Sequence, residues 1–197
     1  WFGILQSSSK GKFRVYAYGM GGSGTSQQYI AFTKLKSAIN PDILLIQYCT
    51  NDPGNDSYES GKASIGRNQN LRRPYYKDGK FYFRSDIQSR IYRFAHNSYL
   101  FQRLDNILQQ IEYKVYGGYS SAPQTAAQLQ RDLNHWEEVY TKYVQFARDS
   151  GVKEIWSVSC QSTAEEESSA QTNRWIQVSD KLGVKVFKSF MDKTYSA

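Results

Sequence analysis

The chain alternates between two hydrophobic periods, and that alternation predicts its architecture. "FRVYAY" (13–18) reads as a strand. "TSQQYIAFTKLKSAI" (25–39) has helical spacing, with Tyr29, Phe32 and Ile39 as core positions, Thr25 or Ser26 as N-cap and Pro41 as the stop. "DILLIQYC" (42–49) is a continuous apolar run, the pattern of a strand buried on both faces of a parallel sheet. "PYYKDGKFYF" (74–83) predicts a hairpin turning at Asp78-Gly79. Two long amphipathic helices follow. The first carries Ile87, Ile91, Phe94, Leu100, Leu104, Leu108 and Ile111; the second carries Leu129, Leu133, Trp136, Tyr140, Val144 and Ala147 and ends at Gly151. "KEIWSVSC" (153–160) is a second buried strand, followed by a Ser/Glu-rich loop, a helix near 168–182 and a short strand, "VKVF" (184–187). Strand–helix alternation over 197 residues without repeats predicts one α/β domain with a parallel sheet. In such sheets ligands bind beyond the carboxyl ends of the strands.

Composition narrows the functional classes. With 22% charged and 15% aromatic residues the chain should fold rather than stay disordered. No apolar run is long enough to span a membrane, and no signal-peptide pattern is present. The sequence opens at Trp1 in mid-pattern, which suggests a segment missing ahead of it. Cys49 and Cys160 form neither a disulfide framework nor a zinc spacing. The net charge of +7 is concentrated in residues 61–103, where ten Lys/Arg face Asp78 and Asp86 alone. Interleaved with Tyr75, Tyr76, Phe81, Tyr82 and Phe83, this stretch fits either a polyanion-binding patch or a solvated hairpin and helix face. No nucleic-acid-binding module accompanies it, and no nucleic-acid partner is expected.

Two motifs carry candidate chemistry. "GMGGSGTSQQ" (19–28) contains G-x-G-x-x-G in Gly19, Gly21 and Gly24, between a predicted strand and a helix, the setting of a dinucleotide-binding turn. That site needs an acidic residue near the end of the next strand, whereas Asp42 stands at its start and Asp52 comes late. Gln27 and Gln28 have no task in a pyrophosphate cradle. Together with "DILLIQYCTND", the glycine turn instead resembles the SGNH (GDSL-type) hydrolases. That family has a turn of the form G-x-x-G-x-G-T-x-Q-Q after one strand and G-x-N-D after another. Gly19, Gly22, Gly24, Thr25, Gln27 and Gln28 match the first motif and Asn51-Asp52 the second, with Cys49 departing from the usual glycine. The basic hairpin-containing insert at about 55–86 and the long helices are similar to one subgroup.

The resemblance implies a flavodoxin-like three-layer α/β domain spanning 1–197, truncated at both ends, from an ester or acyl hydrolase acting on a small-molecule or glycan acyl or acetyl ester. The backbone N–H of Gly22 and the side-chain amide of Asn51 would form an oxyanion hole, where each donor contributes about 10²–10³ in rate. Asp52 would support the loop by accepting backbone N–H bonds. The serine nucleophile would precede Trp1 and the histidine base follow Ala197, so this stretch alone should be inactive. The resemblance also favours an exported or periplasmic protein and implies no metal or organic cofactor. "RDLNH" offers a literal D-x-x-H in Asp132 and His135, but its setting is a helix interior, where the pair is a surface contact. His96 reads as a helix residue bonding locally, and Ser23 has no base in reach. Cys49 and Cys160 end strands that are neighbours in the family's sheet order, where a disulfide is possible. The competing function is a catalytically inactive relative that binds a glycan or polyanion through 61–103; a dinucleotide-binding domain is a third reading.

Geometry separates these readings. A dinucleotide fold pairs 13–18 directly with 42–49, about 4.8 Å apart. The SGNH order leaves a strand's width between them and pairs 42–49 with 153–160.

Overall fold

The computed structural model describes residues 7–8, 10–18, 23–57, 60, 74–82, 98–100, 103–104, 107, 125–160 and 169–188. Its elements run α1 (Thr25–Ile39), β1 (Ile43–Tyr48), α2 (Asp52–Asp56), β2 (Tyr75–Lys77), β3 (Lys80–Tyr82), α3 (Ala126–Asp149), β4 (Glu154–Ser159), α4 (Ala170–Lys181) and β5 (Lys185–Phe187). β1, β4 and β5 form a parallel sheet in that order. The β1–β4 register pairs Ile43 with Glu154 and runs unbroken to Tyr48 with Ser159. This is an α/β fold with a parallel sheet, in which 42–49 pairs with 153–160.

One face of the sheet holds the core. Ile46 and Tyr48 of β1 pack with Trp136, Tyr140, Val144 and Ala147 of α3, Trp175 and Val178 of α4, and Phe32 of α1. Tyr48 stacks on Trp175 at 5.0 Å and meets Trp136 edge-on at 5.2 Å, while Trp136 stacks on Tyr140 at 5.0 Å. The polar handles of Trp175 and Tyr140 are satisfied inside the core, whereas the buried Tyr48 hydroxyl has no partner among the described residues. Trp175 Nε1 donates to Ser157 Oγ, which donates to the Ile46 carbonyl, and Tyr140 shares a bond with Ser179. Large aromatic bodies supply buried area, and their N–H and O–H groups fix rotamers and register.

The opposite face departs from expectation. Ile43, Leu45 and Phe187 remain 47%, 36% and 47% exposed, so β1 is not buried on both sides. The apolar run "DILLIQYC" cannot report this, because a run without polar positions carries no face. The 13–18 stretch forms no strand and no ladder with β1; Phe13, Tyr16 and Tyr18 are each more than half exposed. A strand-like run becomes a strand only where a partner completes its hydrogen bonds, and none of the described strands pairs with it. The predicted helix over 87–111 falls mainly outside the described residues. Leu100 and Leu104, assigned to its buried face, are 68% and 49% exposed.

The hairpin forms at Asp78-Gly79, both with positive φ (50° and 78°), the combination that a two-residue turn of matching twist needs. It is not a solvated appendage. Tyr75 and Tyr76 are buried, and Phe81 meets Tyr29 of α1 edge-on at 5.0 Å.

Cys49 and Cys160, just past the last paired residues of β1 and β4, form a disulfide with Cα atoms 5.2 Å apart. It joins positions 111 residues apart at the carboxyl ends of neighbouring strands. Replacing both cysteines with serine should lower stability by about 2–5 kcal/mol, read as a lower urea midpoint that reductant no longer shifts. A midpoint equal to that of the oxidised parent would show that the cross-link does not form.

Candidate functional site

The two sequence motifs meet at the carboxyl end of the sheet, and a residue belonging to neither joins them. α1 starts at Thr25 with Gly24 as N-cap, which has no side chain to offer the free N–H groups of the first turn. They are met from outside. Asp56, the last residue of α2, accepts the Thr25 N–H on Oδ2 at 3.1 Å and the Ser26 N–H on Oδ1 at 2.8 Å. Gln27 Oε1 accepts the Gly24 N–H at 2.6 Å. Thr25 and Ser26 are therefore interior residues of α1 rather than its cap, and Thr25 Oγ1 accepts from Trp136 Nε1 at 3.0 Å.

This arrangement displaces the dinucleotide reading. The place where a pyrophosphate would meet the helix N-terminus is filled by the carboxylate of Asp56, which is fully buried. It also explains Gly24. A Cβ there would stand 2.5 Å from Asp56 Oδ1 and 3.2 Å from Asn55 Cβ. Glycine is required because a carboxylate from another element occupies the space. The two glutamines act as ties. Gln27 Nε2 donates to the Pro74 carbonyl at 2.7 Å, anchoring the hairpin, and Gln28 Nε2 donates to the Gln47 carbonyl at 2.9 Å, anchoring β1.

α2 follows β1 after a single turn. Asn51 is its N-cap in αR conformation, without a side-chain capping bond, and Pro53 sits in the first turn, where its missing N–H costs nothing. The Asn51 side chain is exposed, whereas Asp52 next to it is buried. Asp52 Oδ2 accepts the Cys49 N–H at 3.1 Å, and the Asp52 N–H donates to the Cys49 carbonyl at 2.9 Å, closing the turn on itself. Burial raises the Asp52 pKa well above the usual carboxylate value, and the nearby Asp56 charge raises it further.

The other candidates are placed as follows. Gly19, Gly21, Gly22 and His96 lie outside the described residues, as does most of the basic 61–103 stretch. Asp132 is not a helix-surface residue. It is buried on α3 and accepts from Ser60 Oγ at 2.5 Å, while Gln128 Nε2 donates to the same hydroxyl at 3.0 Å. His135 packs 6.2 Å from the Tyr76 ring, its Nε2 buried without a partner and its pKa lowered by burial. Ser60 engages Asp132 rather than His135, so these three side chains do not form a serine–histidine–aspartate relay. Among the described residues no group of three or more His, Cys, Asp or Glu side chains is placed to hold a metal ion. No described helix is long and apolar enough to cross a membrane.

Asp56 is the residue that sequence reasoning missed. Its signal is faint: an acidic residue four positions after Asp52, hence on the same helix face, with glycine at the cap of the helix it serves. Compared with protein families, curated proteins and solved structures, the chain matches none.

Gly24→Ala forces its Cβ into the Asp56 carboxylate and should destabilise the chain by about 1–3 kcal/mol; a denaturation midpoint equal to the parent's would place the carboxylate elsewhere. Asp52 gives a pH test. Its raised pKa means that the folded chain holds this proton to higher pH than the unfolded chain does, so stability falls as pH rises from the unfolded value through the folded one. Asp52→Asn keeps an acceptor for the Cys49 N–H and removes that loss. The melting temperature of the variant relative to the parent should therefore climb as the pH is raised above about 4; a difference independent of pH would show that Asp52 is not perturbed.

Proposed function

We propose that these residues form the oxyanion-stabilising part of an SGNH-type ester or acyl hydrolase on a flavodoxin-like sheet. One observation supports the reading above others. At the carboxyl end of β1, Asn51 presents an exposed side-chain amide with no capping bond, on a turn whose neighbouring side chain, Asp52, is buried and bonded. A neutral amide supplies N–H donors to a developing alkoxide, which an ionised carboxylate cannot do. The Gly24–Ser26 segment ending the glycine turn is tied to the same α2 through Asp56. The resemblance adds the Gly22 N–H as second donor, and puts the serine nucleophile and histidine base on motifs that these residues do not carry.

The chemistry asked of this half-site is electrostatic. When a serine oxygen adds to an ester carbonyl, the carbonyl oxygen gains negative charge, and donors already aimed at it stabilise the transition state without reorganising. The chain's own part is to hold the Asn51 amide there; the acid–base work belongs to the serine and histidine that the resemblance assigns to other motifs. The Cys49–Cys160 disulfide supports an oxidising compartment, in line with export. The alternative, a binding module for a glycan or polyanion, draws on the hairpin, where Lys80 beside the turn and the 52% exposed Tyr82 at the end of β3 face solvent.

In the full-length natural protein, Asn51→Ala should lower kcat on p-nitrophenyl acetate by about 10²-fold with little change in KM, because the lost bond forms mainly in the transition state. An unchanged kcat would leave Asn51 a turn residue and favour the binding module.

A further inference from the structure

α2 spans only five residues, too short to hold a fixed position through its own hydrogen bonds. It packs against α3, and carboxylates on one face tie it down at both ends. At the β1 end, Asp52 accepts the Cys49 N–H. At the far end, Asp56 accepts the N–H groups of Thr25 and Ser26, which belong to a 15-residue helix packed on the core. Asn51 caps the start of this doubly anchored turn, with the Asn55 N–H donating to its carbonyl at 2.9 Å. The Asp52 anchor is local, binding a residue three positions away. Asp56 alone binds residues thirty positions distant and so ties Asn51's support to α1.

We infer that Asp56 is a positioning residue of the candidate site: by ligating the first-turn N–H groups of α1 it fixes α2, and through α2 the Asn51 amide, in the orientation that oxyanion stabilisation requires. The inference rests on the hydrolase reading. It asks nothing of Asp56 toward substrate, since the side chain is fully buried. Two features make the carboxylate suited to the task. Its paired oxygens take two adjacent N–H groups at once, and its negative charge meets the positive end of the α1 dipole. An asparagine in its place offers one acceptor oxygen and no charge. Alanine offers neither and leaves a space the size of a carboxylate, lined by the released N–H groups.

The test uses the full-length natural protein with p-nitrophenyl acetate. Asp56→Ala should lower kcat by about 10²-fold with KM nearly unchanged, and Asp56→Asn by less. Sodium formate should restore kcat to Asp56→Ala by refilling the space, whereas sodium chloride at equal ionic strength should not. The double variant Asn51→Ala/Asp56→Ala should be no slower than Asn51→Ala alone, because both losses pass through one amide. A merely structural anchor would lower the melting temperature and leave these kinetic signatures flat. If Asp56→Ala does not fold, Asp56→Asn carries the comparison, with its double variant against Asn51→Ala. Hydrolysis abolished by Asn51→Ala and untouched by a folded Asp56→Asn overturns the positioning role alone. Absence of hydrolysis by the unsubstituted protein overturns the hydrolase reading on which it stands.

Discussion

A buried carboxylate on the first turn of α1 sets the terms for the rest of this site. Removing Asp56 from water is costly unless the charge finds donors. Two backbone N–H groups and the helix dipole supply them, at about 1.5–3 kcal/mol for each charge-assisted bond. In return the carboxylate satisfies groups that Gly24 cannot reach, so helix and carboxylate each remove the other's desolvation cost. The pairing dictates sequence at a distance. Gly24 must lack a Cβ because Asp56 lies where it would project. Thr25 turns its hydroxyl to Trp136, which carries the same constraint into the core beneath the sheet.

A second carboxylate beside the first brings a conflict that the fold tolerates. Asp52 and Asp56 stand one helical turn apart, both buried, and like charges at that spacing repel. Asp56 has the stronger set of donors in two helical N–H groups. Asp52 has the Cys49 N–H, and its pKa rises through burial first and the charge of Asp56 second. Asp52, on the turn that presents Asn51 and next to the disulfide joining β1 and β4, answers the conflict by holding its proton more tightly. A covalent bond flanks this turn on one side and a helix terminus on the other.

Much of the fold was legible because its signals are local. The helix over 25–39, the strands at 42–49 and 153–160 and the turn at Asp78-Gly79 each follow from periodicity or positive-φ chemistry within a few residues. What failed was tertiary. The run at 13–18 reads as a strand, yet a strand exists only through a pairing neighbour, and none of the described strands supplies one. The apolar run at 42–49 reads as buried on both faces, although Ile43 and Leu45 stay partly exposed. In the site, Asn51 and Asp52 were legible as a motif. Asp56 was not, because its partners are backbone groups thirty residues back, and backbone N–H groups leave no mark in a sequence.

The two glutamines show how a local motif and a tertiary tie can be the same residues. Gln27 and Gln28 count against a pyrophosphate turn because such a turn gives long amides no work. In the fold, both ends of the Gln27 amide are engaged, one closing the Gly24 cap and the other holding the hairpin at Pro74. Gln28 reaches the carbonyl of Gln47, on the edge of β1 where no described strand pairs it. An amide suits both tasks, since it donates and accepts without adding charge beside two buried carboxylates. A lysine at either position would supply a donor but no acceptor, and a glutamate the reverse. The G-T-x-Q-Q stretch is thus a set of connections from one helix start to a hairpin, a strand edge and the turn that carries Asn51, and a glycine turn built to receive an external phosphate would have no use for them.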